Sequence, residues 1–329
     1  MRQKALITGA TGFIGSHLAE ALVDKGWSVT CLIRLTSRTD FIKRFPVSFV
    51  LGHANDQHSL EEAVEGKDYV FHSAAQIRPV SRETYDLSNH QLTRNLLQAC
   101  LRKNPGTKRF IYISSISAGG PSPLGVYADE SLPPAPESEY GRSKLKGEEA
   151  VKEVWNSLPA TIIRPPNVYG IRQQETMLLV SALKRRVVPL LRYKEEVTSL
   201  IYIRDLVDGI VQAALSPKSA GQVYYLTDGR GYSWREIILT LKKHLLGKSL
   251  FLPVPESLIY FSAWVIDMLR KAGIANIFFG RSFWKAMTRT RWLFSSANAE
   301  RDFGFSPKYS LEEGVRDIVE TLKHKDTRW

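Results

Sequence analysis

The chain has 329 residues, 43% of them apolar and 24% charged, an ordinary globular composition that excludes a disordered or collagen-like chain. The length corresponds to about two typical domains. The net charge of +12 suits an anionic ligand or an anionic membrane surface, or it belongs to an ordinary solvated protein surface. Because the sequence has neither zinc-finger spacing nor a basic helix suited to reading a DNA groove, we expect no nucleic-acid partner.

The two cysteines, Cys31 and Cys100, lie in apolar stretches, which leaves no disulfide framework and no cysteine-rich metal site. We therefore expect no bound metal. The residues before position 4 leave no room for a signal peptide, and no run of about 20 uncharged apolar residues predicts a spanning helix. We predict a protein of the reducing cytoplasm, either free or held peripherally at the inner face of a membrane.

The first 34 residues predict one strand–helix–strand unit, with strands at 4–8 and 27–33 and a helix at 16–25 between them. Buried strands are predicted further on at residues 47–51, 69–73, 110–114 and 160–163. Helical periodicity separates several of them, at residues 60–64, 87–102 and 140–155. Strands that alternate with helices predict an α/β fold with a doubly wound parallel sheet and helices on both faces.

The pattern changes after Arg164, where Pro165 and Pro166 interrupt it. Later elements are predicted as helices at 176–186, 206–215 and 234–245 and strands at 200–203 and 223–226. We predict a nucleotide-binding domain at residues 1–165, which the chain revisits around 196–215, and a smaller mixed α/β C-terminal substrate lobe formed by 166–195 and 216–329.

A glycine loop follows the first predicted strand, with Gly9, Gly12 and Gly15 spaced three apart. The first glycine permits a tight turn, the second lets the backbone approach a pyrophosphate, and the third allows close helix–strand packing. Free N–H groups at the start of the following helix can receive the anion. The loop therefore predicts a dinucleotide site, with an incidental glycine turn as the alternative.

The end of the second strand discriminates between the two nicotinamide dinucleotides. A carboxylate there is typical of NAD sites, whereas a cation suits the 2′-phosphate of NADP. Here the strand ends in Arg34, followed by Ser37 and Arg38, and no carboxylate occurs before Asp40. The sequence favours NADP over NAD, with a merely solvated Arg34 as the alternative.

Tyr140 and Lys144 stand four apart, on one face of a predicted helix. Ser115 follows a buried strand whose carboxyl end faces the cofactor crevice of a doubly wound sheet, so it can converge with Tyr140. A free phenol has a pKa of about 10, and we expect the Lys144 ammonium and an oxidised nicotinamide to lower it. Tyr140 would then act as general acid and base, with Ser115 holding the reacting oxygen.

Two neighbouring serines, Ser114 and Ser117, are alternatives to Ser115 for the catalytic hydroxyl. His72 lies on an apolar strand, and we interpret it as a core residue rather than a catalyst.

Eight segments stand in the order typical of one enzyme family: TGATGFIG (8–15), HSAA (72–75), Asn89, YISS (112–115), YGRSK (140–144), RPPNVYG (164–170), YIRDLVDGI (202–210) and SLEEGVRDIVETL (310–322). With them the chain resembles the extended short-chain dehydrogenases/reductases, also called the NAD-dependent epimerase/dehydratase family, nearest the 3β-hydroxysteroid dehydrogenase and dihydroflavonol reductase branch. The resemblance implies a Rossmann domain, a smaller substrate lobe and a catalytic set carried here onto Ser115, Tyr140 and Lys144.

The resemblance also implies a cofactor-binding set, namely Gly9, Thr11, Gly12, Phe13, Ile14, Gly15, Arg34, Ala74, Ala75, Asn89, Tyr140, Lys144 and Pro165. It implies a homodimer through the helices predicted at 87–102 and 140–155. One position departs from the family, which often has Asp after the glycine that follows the third strand. Here Gly52 is followed by His53, with Asp56 three further on, so adenine recognition stays open.

Residues 251–305 hold 8 of the 14 Phe and 3 of the 7 Trp. These rings fill the core of a small lobe, or form the wall of a pocket for a bulky apolar substrate. A third alternative is a membrane-surface patch, because cations are interleaved with the rings, at Arg270, Lys271, Arg281, Lys285, Arg289 and Arg291.

Three functions remain. The first is an NADP-dependent oxidoreductase that interconverts a carbonyl and an alcohol on a bulky apolar substrate. The second is an NAD-dependent nucleotide-sugar epimerase or dehydratase with retained cofactor, in which Arg172, Lys184, Arg185 and Arg186 clasp a diphosphate. The third is a non-catalytic NADP-binding protein. The presence of Ser115, Tyr140 and Lys144 together argues against it, because a binding protein does not need an acid–base set.

Overall fold

The computed structural model describes residues 2–77, 81–184, 187–191, 197–245, 250–254, 256–271 and 291–324. Within these ranges, no helix is long and apolar enough to cross a membrane.

The strands, in chain order, are β1 (Lys4–Thr8), β2 (Ser28–Ile33), β3 (Ser48–Leu51), β4 (Tyr69–His72), β5 (Arg109–Ile113), β6 (Ala160–Arg164), β7 (Asn167–Tyr169), β8 (Val187–Leu191), β9 (Val197–Tyr202), β10 (Gln222–Tyr225), β11 (Gly231–Ser233) and β12 (Leu250–Val254). Each of the six strands predicted before Arg164 is present within a few residues of its expected bounds.

The helices are α1 (Phe13–Asp24), α2 (Gln57–Val64), α3 (Arg82–Tyr85), α4 (Leu92–Lys103), α5 (Ile116–Gly119), α6 (Glu139–Glu153), α7 (Gln174–Lys184), α8 (Ile203–Leu215), α9 (Trp234–His244), α10 (Glu256–Lys271), α11 (Ala297–Phe303) and α12 (Leu311–His324). A π-helical turn at Asp86–Gln91 joins α3 to α4, so the helix predicted at 87–102 begins with irregular turns.

Seven parallel strands form the main sheet in the order β10-β6-β5-β4-β1-β2-β3. The chain starts in the interior at β1 and builds outward first through β2 and β3, then on the other side through β4, β5 and β6. The order reverses between β1 and β4, and ligands of such sheets bind at the carboxyl ends beside that reversal. The predicted doubly wound Rossmann sheet is confirmed.

Apolar layers cover both faces of the main sheet. On one face α1 and α8 bury side chains such as Leu18 and Ile210. On the other face α2, α4 and α6 bury residues such as Leu60, Leu96 and Val151. Because helices cover both faces, the strands are near-continuous apolar runs rather than alternating ones.

The chain comes back to the main sheet through a helix and a strand, α8 and β10. Strand β9, within the predicted return at 196–215, belongs instead to a three-stranded sheet with β7 and β11. Helix α8 packs on the main sheet, and β10, assigned by sequence to the substrate lobe, pairs in parallel with β6. The sequence does not reveal this exchange, because strand partners are chosen by contacts between distant segments. The division into domains itself stays a prediction.

Candidate active site

The glycine loop folds so tightly that side chains would not fit in it. A Cβ on Gly9, whose φ is 71°, would lie 2.6 Å from the backbone nitrogen of Ala74. A Cβ on Gly15 would lie 2.2 Å from the carbonyl oxygen of Gly9, which accepts a hydrogen bond of 3.0 Å from the N–H of Gly12. The loop is therefore a bare backbone cradle, and it fits the pyrophosphate of a dinucleotide.

Helix α1 begins directly after this cradle. Its N-cap is Gly12, which has no side chain to cap the first turn, and no acidic residue occupies that turn. The free N–H groups and the positive end of the helix dipole suit an anion. Thr11, Phe13 and Ile14 of the predicted cofactor set stand at this junction and are partly buried.

Arg34 directly follows β2 and is exposed. Among the described residues it makes no ion pair, whereas Arg38 approaches Asp40 at 4.0 Å. The backbone N–H of Arg34 donates to Ser37 Oγ at 3.0 Å, which turns the chain at this point. The guanidinium is therefore available to a phosphate at the ribose end of a dinucleotide.

The carboxyl end of β4 meets the glycine loop. The N–H of Ala74 donates to Thr8 Oγ1 at 3.3 Å, and Ala75 follows it, partly buried. His72 is fully buried, with Nδ1 2.6 Å from Thr8 Oγ1 and Nε2 2.9 Å from Thr93 Oγ1. Burial and the charge of Lys144 lower the pKa of His72 to about 3, so it is a neutral core residue, as interpreted from sequence.

Asn89 is fully buried and links three segments of the site. Its side-chain oxygen accepts from the N–H of Gln76 at 2.7 Å, and its amide donates to the Gln76 carbonyl at 3.0 Å and to Ser143 Oγ at 2.9 Å. Ser143 in turn donates to the Tyr140 carbonyl at 2.7 Å. Asn89 thus joins the loop after β4 to α6, and its place in the cofactor set stays a prediction.

Helix α6 carries Tyr140 and Lys144 and packs closely on the turn after β5. Its N-cap, Ser138, accepts from the N–H of Gly141 at 2.9 Å. A Cβ on Gly141 would lie 2.2 Å from the Ser117 carbonyl oxygen, so glycine is required for this approach. The close packing brings the first turn of α6 against the Ser115 turn.

The structure distinguishes the three serines after β5. Ser114 is buried and donates to Glu148 Oε1 at 2.6 Å, so its hydroxyl is engaged away from the crevice. Ser117 donates its backbone N–H to Ser115 Oγ at 3.1 Å. The Ser115 hydroxyl acts on the phenol of Tyr140 and lowers its pKa against the effect of burial. Of the three, Ser115 is the serine that the fold brings to Tyr140.

Burial controls the protonation of the catalytic pair. It raises the pKa of Tyr140 to about 12, and the hydrogen bond from Ser115 opposes that rise. Burial also lowers the pKa of Lys144 to about 7, against the attraction of Glu148. The expectation that Lys144 lowers the phenol pKa is therefore corrected for the protein chain alone, because desolvation dominates. Tyr140 therefore holds its proton at neutral pH.

Lys144 is held firmly under the site. Its ammonium donates to the Ile113 carbonyl at 2.7 Å and lies 4.1 Å from the centroid of the Tyr112 ring. Pro165 lies beside the Ser115 turn, where its carbonyl accepts from the N–H of Ile116 at 3.0 Å. The carboxyl edge of the sheet thus carries the region of Ser115, Tyr140 and Pro165 together with the base of the glycine loop.

The buried Lys144 predicts how stability depends on pH. Its pKa is about 7 when folded against 10.5 ordinarily, so between these values the unfolded chain binds more protons. The free energy of unfolding therefore rises with pH across this window. We expect Lys144→Met to lack that rise, so that its stability relative to wild type is greatest below pH 7 and declines towards pH 10.

Urea denaturation at several pH values measures this dependence. Lys152→Met is the matched control, because Lys152 is exposed on the same helix. Parallel curves for wild type and Lys144→Met would show that Lys144 is not desolvated as described.

Sequence reasoning missed a buried ion pair behind the site. Arg164 donates to Glu148 twice, from Nε at 2.9 Å and from Nη2 at 2.6 Å, and both side chains are buried. Nη1 of Arg164 donates to the Tyr225 hydroxyl at 2.9 Å. The sequence did contain a signal for this ion pair. Glu148 follows Lys144 by four residues and so shares its helix face, and Arg164 stands directly before Pro165.

The structure also describes two other positions discussed from sequence, Arg172 and Asp56. Arg172, proposed to clasp a diphosphate, is buried and paired with Glu20 of α1, with its guanidinium 5.8 Å from the Phe41 ring centroid. Its charge is therefore already compensated, and this role is corrected. Asp56 caps α2 by accepting from the N–H of Ser59 at 3.2 Å, while His53 is exposed.

The described aromatic residues of 251–305 lie partly in the core and partly on the surface. Phe294 and Phe305 are buried, and Phe294 stacks on Tyr225 at 4.5 Å between centroids. Phe261 and Trp264 are exposed on α10. Several cations named from sequence lie outside the residues described with side chains, namely Lys184, Arg185, Arg186, Lys271, Arg281, Lys285 and Arg289.

Comparison with known proteins gives concordant results. The model of the NAD dependent epimerase/dehydratase family matches residues 5–226. The ceramide reductase of Caulobacter vibrioides (strain NA1000 / CB15N) is 28% identical over 317 residues, covering 95% of this chain and 92% of that protein. The UDP-glucose 4-epimerase of Vibrio cholerae is 27% identical over 339 residues, covering 100% of this chain and 98% of that protein. The structure of UDP-glucuronic acid 4-epimerase from Bacillus cereus in complex with NAD matches with a TM-score of 0.75 and 25% identity, covering 97% and 99%.

Proposed function

The chain belongs to the NAD-dependent epimerase/dehydratase family and is an oxidoreductase of the extended short-chain type, and from this premise we propose that it is an NADP-dependent enzyme that interconverts a carbonyl and an alcohol on a bulky apolar substrate. One observation carries the proposal. The Ser115 hydroxyl, the Tyr140 phenol and the Lys144 ammonium stand together at the carboxyl edge of the sheet, beside a backbone cradle for a dinucleotide.

Each residue has a distinct task in this proposal. The glycine loop would hold the dinucleotide, which would supply or accept hydride. Tyr140, protonated at neutral pH, donates its proton to the carbonyl oxygen as the alcohol forms and takes it back in the reverse direction. Ser115 holds the same oxygen by a hydrogen bond. Lys144 keeps a positive charge beneath the site when protonated and would hold the ribose.

The apolar substrate is supported by the surroundings of the site. Ile77, in the loop after β4, and Leu124 and Val126, in the segment between α5 and α6, are exposed. Both segments follow strands at the edge where Tyr140 lies, and exposed apolar residues there suit a substrate that buries them. The related ceramide reductase acts, by its name, on a lipid. Arg172, the described cation suggested for a diphosphate, is already paired with Glu20.

A paired substrate panel tests the proposal. Purified enzyme with NADPH is offered long-chain and steroid ketones, and separately UDP-glucose and UDP-glucuronic acid. We expect NADPH to be consumed with one or more apolar ketones and no change in the nucleotide sugars. Conversion of nucleotide sugars alone would overturn it.

The cofactor preference predicts a selective loss on substitution. Arg34→Ala removes a charge-assisted contact to the 2′-phosphate, so we expect NADPH affinity to fall about 10-fold or more while NADH affinity changes little. Fluorescence titration of both dinucleotides measures this. Arg38→Ala is the control, because Arg38 is exposed nearby but approaches Asp40. Equal small losses for both dinucleotides after Arg34→Ala would contradict the NADP assignment.

The second candidate is a nucleotide-sugar epimerase with retained NAD. It is favoured by the match to the Vibrio cholerae UDP-glucose 4-epimerase along the whole chain. Such a reaction returns the hydride it removes, so its NAD stays bound through the cycle. Releasing and identifying the nucleotide that copurifies discriminates the two, since tightly held NAD supports the epimerase and an exchangeable NADP site supports the reductase.

A further inference from the structure

Helix α10 presents an apolar face to solvent. Leu258, Phe261, Trp264 and Met268 are 55%, 60%, 44% and 51% exposed. Their spacing of three, three and four residues places them on one side of the helix. Ala263, on another side, is fully buried and anchors the helix to the protein. We propose that α10 lies flat on an anionic membrane surface with this apolar face in the lipid interface.

The size and character of the face suit a lipid interface. The Phe261 and Trp264 rings lie 5.9 Å apart, so the four side chains include a joined aromatic pair rather than scattered single residues. Large aromatic and aliphatic side chains on one side of a helix are what interfacial helices insert into the headgroup boundary. A contiguous exposed patch of such residues marks an interaction surface.

Charge selects the bilayer over a second copy of the chain. The sequence from 256 to 291 contains two acidic residues, Glu256 and Asp267, against six Lys and Arg. Asp267 already accepts from Arg270 Nη2 at 2.8 Å. Self-association would bring two basic chains together, whereas anionic headgroups attract basic residues. The net charge of +12 acts in the same direction.

The end of α10 carries Arg270, whose charge acts on a tyrosine beside Tyr140. Burial raises the pKa of the Tyr85 phenol, and the positive charge of Arg270 opposes that rise, which places Arg270 within electrostatic reach of Tyr85. The Tyr85 ring lies 6.2 Å from the Tyr140 ring. Docking of α10 would therefore hold the active-site side of the protein at the membrane, where an apolar substrate is dissolved.

Vesicle flotation tests the proposal with the full-length enzyme, without substrate or dinucleotide. We expect wild type to float with vesicles of phosphatidylcholine and phosphatidylglycerol in low salt, and to bind much less to phosphatidylcholine alone or in high salt. Phe261→Asp combined with Met268→Asp is expected to lower the partition coefficient about 10-fold or more. Circular dichroism checks that the variant is folded.

The control is Leu215→Asp. Leu215 ends α8 with 51% exposure and lies at the opposite edge of the sheet, since the adjacent Ser216 carbonyl accepts from Arg109 at the start of β5. The Leu215→Asp variant should float like wild type. Absence of wild-type flotation, or equal loss in control and variant, would overturn the proposal. A wild-type dimer that the α10 variant converts to monomers, without vesicle binding, would instead identify a self-association face.

These outcomes are separate from those of the proposed function. Vesicle binding without apolar-ketone turnover would retain the docking surface and refute the substrate class. Turnover of apolar ketones without vesicle binding would retain the substrate class and refute the docking surface.

Discussion

Replacing Tyr140 with phenylalanine is expected to lower kcat by about 10²- to 10⁴-fold, the range contributed by a positioned general acid–base. The substitution removes only the phenol hydroxyl, on which Ser115 acts. The ring remains, so its packing 6.2 Å from Tyr85 and the backbone hydrogen bond to Ser143 are kept. Dinucleotide affinity should therefore change little, which a fluorescence titration beside the steady-state assay would show.

Tyr69→Phe is the matched control for this variant. Tyr69 is also a largely buried tyrosine, but it begins β4 and so lies at the opposite edge of the sheet from Tyr140. It should retain wild-type turnover. Full activity of Tyr140→Phe would refute the assignment of the proton donor, whichever substrate the enzyme takes.

Glu148→Gln is expected to reduce the free energy of unfolding by about 3–5 kcal/mol. Glu148 is fully buried and accepts from Arg164 and Ser114, so its neutralisation leaves a buried guanidinium without a counter-charge. Removing one partner of a buried pair costs far more than the pair itself contributes, because the remaining charge stays desolvated. Urea denaturation followed by circular dichroism measures the loss.

A double variant separates the charge effect from packing. Glu148→Leu with Arg164→Met removes both charges while keeping apolar volume, and we expect it to lose less stability than Glu148→Gln. The matched single control is Glu153→Gln, at the exposed end of the same helix. If Glu148→Gln were as stable as this control, the pair would not be buried and coupled as described.

The pair also connects stability with the site. Glu148 attracts the Lys144 ammonium and so opposes the lowering of its pKa by burial. Arg164 ends β6, directly before Pro165 at the Ser115 turn. A milder loss of activity is therefore expected from changes in this pair, in addition to the loss of stability.

Local sequence patterns were sufficient for the parts of the site formed within short segments. The spacing of Gly9, Gly12 and Gly15 between a strand and a helix predicted the backbone cradle, because the steric demand of the turn is met by neighbouring residues. The four-residue separation of Tyr140 and Lys144 predicted that they share a face, since that is the repeat of a helix. The alternation of elements similarly predicted the parallel sheet.

The choice among neighbouring serines needed the tertiary structure. Ser114 and Ser115 are adjacent, yet successive side chains at the end of a strand point to opposite sides. One reaches Glu148 behind the sheet edge, and the other reaches Tyr140. The sequence narrowed the catalytic hydroxyl to three residues, and the packing of α6 separates them.

Local patterns were enough to predict the family motifs, their order and the elements that carry them, because these depend on residues within about one turn or one strand of each other. The folded chain was needed to find the pairing of Glu148 with Arg164, the burial of Arg172 against Glu20 and the return of β10 to the main sheet. Each of these joins segments far apart in the chain. The free energy of burying a charge or completing a strand ladder depends on the partner that the fold supplies, and no local pattern encodes that partner.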